Sequence, residues 1–366
     1  MGKFNEFSRS IRSKIGKFLF DKKQRAAKIF DFSKVETILF IRNDGKIGDM
    51  VVATFAFREI KKAYPQKKLF VLCTKNNKKI IEQNPYVDEI YETSGQILKD
   101  LSVYKKIRSK KPDLTIELYE FDIGFFSLFA LRFIASKFLI GLYKKHYNLF
   151  DLSIEADFFS KHVTQRYESV LRLLGIENSV VSYDIFIGDG EEKEVEKFIE
   201  STSAKTAGTD KILINPFSSS KHKCFDFNKL MNLIRLIEKS KLGIAYILCD
   251  MRKNFLTRNI KNIERVDSGI FVFCSRNILT AAALVKKCDI IVTPDTSIIH
   301  IASAFKKKTI GLYLNFSNRQ EKSDIIWGPN NPNALIINAN LKNKRWKNDI
   351  KSIDDDKIVA LIGSML

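Results

Sequence analysis

Residues 37–65 read TILFIRNDGKIGDMVVATFAFREIKKAYP, and this stretch decides the fold class. Positions 37–42 form an apolar run of β-branched and aromatic residues without polar alternation, the pattern of a strand covered on both faces in a parallel sheet. Residues 43–49 are a glycine-containing turn. Residues 50–64 have helical composition and stop at Pro65, because the residue before a proline is pushed out of the helical region. A further apolar run at 68–73 completes a strand–helix–strand unit.

The same alternation continues in both directions from this unit. Strands are expected at 114–118 and 138–141, with helices at 123–135 and at 163–174, the latter ended by Gly175. Residues 189–210 are rich in Glu, Lys, Ser, Thr and Gly and read as a linker. A second series then starts, with strands at 211–215, 244–248, 270–274, 289–292 and 309–313 and helices at 226–241, 279–287 and 298–305. The expected organisation is a basic helical extension over 1–34, an α/β domain over 35–188, the linker 189–210 and a second α/β domain over 211–366. Two such Rossmann-like parallel-sheet domains are expected to face a cleft.

Composition supports an ordinary globular protein, since 45% hydrophobic and 28% charged residues with only 16 Gly and 7 Pro exclude disordered and fibrous classes. The 62 Lys+Arg exceed the 42 Asp+Glu by 20, which calls for an anionic partner. Residues 1–34 hold ten Lys/Arg and three Asp/Glu, and Phe4, Phe7, Ile11, Ile15, Phe18 and Leu19 recur at helical spacing. Such a basic amphipathic helix either lies on an anionic inner-membrane surface or packs its apolar stripe on the domain beneath. The five cysteines are scattered without metal-ligand spacing, as expected of reduced thiols. No secretory signal is visible, and Arg132 and Lys137 interrupt the best apolar run, 125–143. The expected location is cytoplasmic, peripheral on the cytoplasmic face of the inner membrane.

Ligands of open parallel sheets bind beyond the carboxyl ends of the strands, which singles out three loops. The first carries Gly45, Lys46, Gly48 and Asp49. It is neither a P-loop nor a dinucleotide fingerprint. Asp49 there is either a functional carboxylate or the cap of the helix that follows. The second loop, 293–297, leads into a helix whose free N–H groups suit a diphosphate, with Thr296 and Ser297 at its start. Asp295 would repel phosphate and so is expected to accept from a hydroxyl or cap the helix. His300, one turn in, either donates to an anion or is a packed core histidine. The third loop, 216–225, offers Ser219, Ser220 and Lys223, hydroxyls and a cation that fit phosphate oxygens or form a solvated basic loop. Residues 354–356 are three aspartates that open the last helix, complementing its dipole, and form no metal motif.

Taken together, ILFIRNDGKIGDMVVATFAFREIKKAYPQKKLFVL with the following NPYVDEI, HVTQRYESVLRLLGI, CDIIVTPDTSIIHIASAF and the WGP at 327–329 resemble the lipopolysaccharide heptosyltransferases, inverting glycosyltransferases of GT-B architecture. The resemblance spans about residues 37–365. It implies that Asp49 is the general base on the acceptor hydroxyl, that Lys223 contacts the donor phosphates, and that Asp295, Thr296 and His300 hold the nucleotide sugar. It further implies ADP-L-glycero-β-D-manno-heptose as donor and a lipid-linked saccharide, the inner core of lipopolysaccharide or lipooligosaccharide, as acceptor. No cofactor or metal is implied. Ser297 stands where the resembled motif carries glycine. A helix terminus is expected to keep Asp49 ionised and weakly basic, with Lys223, His300 and the amides at 296–297 stabilising the departing diphosphate. A hexose in place of heptose is the near alternative. A nucleic-acid-binding protein is the distant one, since no RRM, KH or helix-turn-helix pattern is present.

Overall fold

The computed structural model describes residues 14–22, 30–155, 160–203, 208–250, 259, 263, 269–314, 323–339 and 349–366. The chain divides into two compact units. Unit 1 comprises Met1–Asp157 and Thr164–Val181, and unit 2 comprises Phe158–Val163 and Ser182–Leu366.

Unit 1 is built on one six-stranded sheet. Its strands are β1 (Thr37–Arg42), β2 (Lys68–Thr74), β3 (Glu89–Thr93), β4 (Leu114–Glu117), β5 (Phe138–Leu142) and β6 (Leu152–Ile154), with helices α1 (Ile47–Ala63), α2 (Ile97–Ser109), α3 (Phe125–Ile134) and α4 (Thr164–Leu173). The order is β3-β2-β1-β4-β5-β6 and every pairing is parallel. A parallel strand must bury both faces, and β1 does so: Ile38, Leu39, Phe40 and Ile41 are all nearly inaccessible. Leu39 and Ile41 share one core with Phe70, Leu72, Tyr104 and Leu128. Phe40 lies edge-on to Phe57 of α1, and Phe55 of α1 lies edge-on to Tyr167 of α4.

Unit 2 repeats the plan. Its strands are β7 (Lys211–Ile214), β8 (Ile244–Asp250), β9 (Ile270–Ser275), β10 (Ile290–Pro294), β11 (Lys308–Tyr313) and β12 (Ala334–Asn338). Its helices are α5 (Asp189–Ser203), α6 (Phe227–Ser240), α7 (Ile278–Lys287), α8 (Ser297–Ala304) and α9 (Asp355–Met365). The order β12-β11-β10-β7-β8-β9 is again fully parallel. Counted from its β9 edge, the second sheet has the same third-second-first-fourth-fifth-sixth order as the first. In both, the order reverses between the first and fourth strands, and the loops after those two strands diverge to leave a crevice for a ligand.

The expected α/β class with two parallel-sheet domains is what the chain adopts. Several boundaries differ. α1 begins at Ile47, three residues before the expected start, so Asp49 lies within its first turn and Lys46 is the cap residue. The stretch 189–210 holds α5, and the division into units falls at Val181 and Ser182. Strands β3, β6 and β12 and helix α2 were not expected. Gly175 does end α4: its φ of +81° is the left-handed conformation that glycine adopts without strain. Of the extension over 1–34, residues 14–20 are helical, and Phe4, Phe7 and Ile11 lie outside the described residues.

Candidate active site

At the switch point of unit 1, β1 ends in a charged residue. Arg42 is 5% exposed, and its Nη2 donates to Asp44 Oδ2 at 2.8 Å and to Asp49 Oδ2 at 2.9 Å. The turn that brings Asp49 back over the strand end uses Gly45 at φ +71°, where a Cβ would also stand 3.3 Å from Thr74 Oγ1. Asp44 tightens the same turn by accepting from the Lys46 backbone N–H at 3.1 Å, and Lys46 Nζ lies 3.8 Å from Asp49 Oδ2. Gly48 is the second residue of α1. The helix cap is therefore not the role of Asp49, whose carboxylate is committed to Arg42.

Asp49 is 9% exposed, and burial pushes its pKa up to about 6 against the attraction of Arg42 and Lys46, with Asp44 and Glu120 adding to the rise. The expectation of a weakly basic, readily ionised Asp49 is thus corrected. Loss of water around the carboxylate outweighs the helix end and the neighbouring cations.

The neighbouring strand end contributes residues that the sequence reading did not single out. In the parallel register Ile41 pairs with Glu117, so the last residue of β4 stands beside the end of β1. Glu117 is buried, its Oε1 accepts from the Tyr119 N–H at 3.0 Å, and burial, opposed by Lys144, raises its pKa to about 7. Lys144, 1% exposed, donates to the carbonyls of Tyr119, Phe121 and Leu142 at 2.6, 2.9 and 2.8 Å. It pins the loop that carries Glu120, which pairs with Arg166 of α4 at 3.0 Å. The signal for these residues is a charged residue closing an otherwise apolar strand, seen in both Arg42 and Glu117.

At the switch point of unit 2, the loops after β7 and β10 are laced together by side chains. Asn215 Nδ2 donates to Thr293 Oγ1 at 2.9 Å and to Thr296 Oγ1 at 3.3 Å. Thr296 is the cap of α8, its Oγ1 accepting from the Ile298 N–H at 3.2 Å, and Ser297 is the first helical residue. Asp295 does not cap. Its Oδ2 accepts from Ser323 Oγ at 2.8 Å and from Lys223 Nζ at 2.5 Å. One of the two expected roles, acceptance from a hydroxyl, is what the structure gives. Ser219 is exposed and Ser220 half-buried in the loop before the short helical turn Lys221–Lys223, while Ser218 is buried with no partner for its Oγ among the described residues.

Lys223 is ion-paired with Asp295. The other expected cation is corrected. His300 is 3% exposed, and its burial holds the pKa down at about 4, so the imidazole is neutral. Its ring is edge-on to Tyr183 and Trp327, with centroids 6.1 and 6.3 Å away. Nδ1 has no partner among the described residues. Gly328, in the 327–329 turn, is required by close approach, since a Cβ there would meet the Asp324 carbonyl oxygen at 2.3 Å. What this unit offers a diphosphate is the amide end of α8, hydroxyls, a neutral imidazole and the ammonium of Lys223 paired with Asp295.

Two nucleotide-fold sheets, one closing on a held carboxylate and the other on an amide-and-hydroxyl loop, give a GT-B-like α/β fold. The sequence pattern of glycosyltransferase family 9 (heptosyltransferase) matches residues 101–353, well over half of the chain, and the chain belongs to this family. A curated Escherichia coli K12 protein, provisionally named lipopolysaccharide heptosyltransferase 4, is 24% identical over 316 residues, 84% of this chain and 83% of its own. Among solved structures, a glycosyl transferase family 9 protein from Veillonella parvula DSM 2008 superposes with a TM-score of 0.75 at 17% identity, over 93% of this chain and 99% of its own. The E. coli ADP-heptose lipopolysaccharide heptosyltransferase II does so with a TM-score of 0.69 at 14% identity, over 90% and 98%.

Proposed function

We propose that the protein transfers heptose, with inversion, from ADP-L-glycero-β-D-manno-heptose to the inner core of a lipid-linked lipopolysaccharide or lipooligosaccharide. The observation that carries this reading is the buried carboxylate of Asp49, held by Arg42 at the end of β1 with its pKa raised to about 6. A carboxylate so placed is a stronger base than a solvated one and is still ionised near neutral pH. Asp49 takes the proton of the acceptor hydroxyl as its oxygen bonds to the anomeric carbon and the bond from that carbon to the diphosphate oxygen breaks. Gly45, Lys46 and Gly48 shape the turn around it.

The leaving diphosphate is received by the backbone amides of Thr296 and Ser297 at the start of α8, with Lys223, Ser219 and Ser220 alongside and His300 donating one neutral N–H. Asp295 holds the Lys223 ammonium in place. ADP-heptose is the donor named for one structural neighbour, and heptosyl transfer to lipopolysaccharide is the activity named for the relatives. An acceptor anchored in lipid places the work at an anionic inner-membrane surface, on the cytoplasmic face where nucleotide sugars are made.

A second reading keeps the reaction and changes the sugar to a hexose. Ser297 favours it, because a side chain stands where the resembled motif has glycine. Incubation with a panel of nucleotide sugars decides: ADP release from ADP-heptose alone supports the first reading, and release from a hexose donor supports the second. Asp49→Ala is expected to lose at least about a hundredfold in turnover at unchanged donor affinity. Normal turnover in that variant removes Asp49 from the reaction.

A further inference from the structure

We propose that unit 1 docks on an anionic lipid surface through a face formed by the 14–20 helix and its neighbour α3. The inference deepens the reading above, on which it rests for the reason the protein would meet a membrane.

The 14–20 helix is fixed to the fold by one edge. Gly16 lies against Phe125 so closely that a Cβ would stand 3.0 Å from the Phe125 Cα. Phe20 lies edge-on to Phe125 and Phe129, with ring centroids 5.3 and 5.4 Å apart. The chain after the helix is tied down as well: buried Asp21 accepts from the Leu149 N–H at 2.8 Å, and Arg132 donates to the Lys22 carbonyl at 3.3 Å.

Helical geometry then determines what is left over. At 100° per residue, Ile15, Phe18 and Leu19 lie on a stripe turned roughly 120° from the docked edge of Gly16 and Phe20. They are 47%, 81% and 46% exposed, and Phe126, next to the docking residue on α3, is 42% exposed. The remaining third of the helix carries Lys14 and Lys17. So the described part of that stripe, Ile15, Phe18 and Leu19, is not what packs on the fold. Gly16 and Phe20 do that, and the three apolar side chains face outward beside exposed Lys14, while Lys17 lies over the Tyr147 ring.

Charge selects the occupant. Residues 1–34 carry ten Lys/Arg against three Asp/Glu. A second copy would bring the same positive charge against itself, whereas an anionic bilayer accepts apolar side chains below its headgroups and ammonium groups among them. No helix among the described residues is long and apolar enough to cross a membrane, so the contact is one of lying on the surface.

The test is co-sedimentation of the full chain with phosphatidylcholine vesicles, with and without phosphatidylglycerol. The wild type is expected to bind only the anionic vesicles, less tightly as salt rises. Phe18→Ser/Leu19→Ser should weaken binding by about tenfold or more. Leu98→Ser, at an 86% exposed apolar residue on α2, serves as control and should bind as the wild type does. Absence of wild-type binding, equal binding to neutral vesicles, or undiminished binding by the double variant overturns the proposal. So does a wild-type dimer that the double variant turns into monomers, since the face would then belong to a second copy. ADP affinity in the same samples keeps the two readings apart. Vesicle binding without ADP binding counts against the nucleotide-sugar reading alone, and ADP binding without vesicle binding counts against this one alone.

Discussion

Asp49 answers to four neighbours on unit 1 that act on it in opposite senses, and this makes its protonation a measurable test of the site. Arg42 and Lys46 favour the carboxylate, while Asp44 and Glu120 favour the acid, as burial does most of all. A base works only when deprotonated, so kcat/KM should rise with pH through a midpoint near 6 and level off above it. Arg42→Gln removes an attraction and favours the protonated form, which moves the midpoint up. Asp44→Asn removes a repulsion and leaves Arg42 wholly to Asp49, which moves it down. Each displacement is expected to be roughly one pH unit. Midpoints that stay together in all three proteins, in a pH series of initial rates, would mean that the acid limb belongs to another group. Glu117, with its pKa at about 7, is then the next to test.

The helix α8 shows how an element as short as eight residues depends on its first contact. Thr296 Oγ1 accepts from the Ile298 N–H and from Asn215 Nδ2, so one hydroxyl both caps the helix and joins the loops after β7 and β10. Thr296→Val keeps the shape and removes the acceptor, at an expected cost of about 1 kcal/mol read from the urea midpoint, while Thr296→Ser should cost only a few tenths. Elements of this kind were legible in the sequence, because an apolar run followed by Thr or Asp and a second apolar run has few other readings. The ones that were missed share a different character. β3 reads EIYET and alternates charge with bulk at a sheet edge, β6 is three residues long, and β12 leaves Leu335 and Ile336 substantially exposed. α5 reads as a linker from its Glu and Lys content, although Val195, Phe198 and Ile199 recur at helical spacing. At the site, the placement of Asp49 and Lys223 just beyond strand ends could be read from motif and position. The pairing of Lys223 with Asp295, 72 residues apart, and the neutrality of His300 depend on burial, which no spacing encodes.

At the scale of the whole molecule, the same strand order occurs twice with different chemistry at the two switch points, and this asymmetry predicts where a nucleotide should be felt. Unit 1 presents carboxylates at the ends of β1 and β4, with Arg42 already engaged by Asp44 and Asp49, a setting less suited to a diphosphate. Unit 2 presents the start of α8, hydroxyls and a Lys223–Asp295 pair whose ammonium can turn to phosphate oxygens. ADP binding only the second setting should protect backbone amides there by mass action: at a ligand concentration a hundred times Kd, the bound form gains about 2.7 kcal/mol over the free one. Hydrogen exchange with and without ADP is therefore expected to slow in peptides covering 215–225 and 293–300, and to leave 37–49 and 114–120 unchanged. Slowing confined to 37–49 would assign the nucleotide to unit 1 and reverse the donor and acceptor roles of the two sheets. Equal slowing across both would mean that ADP stabilises a state shared by the whole chain rather than one setting.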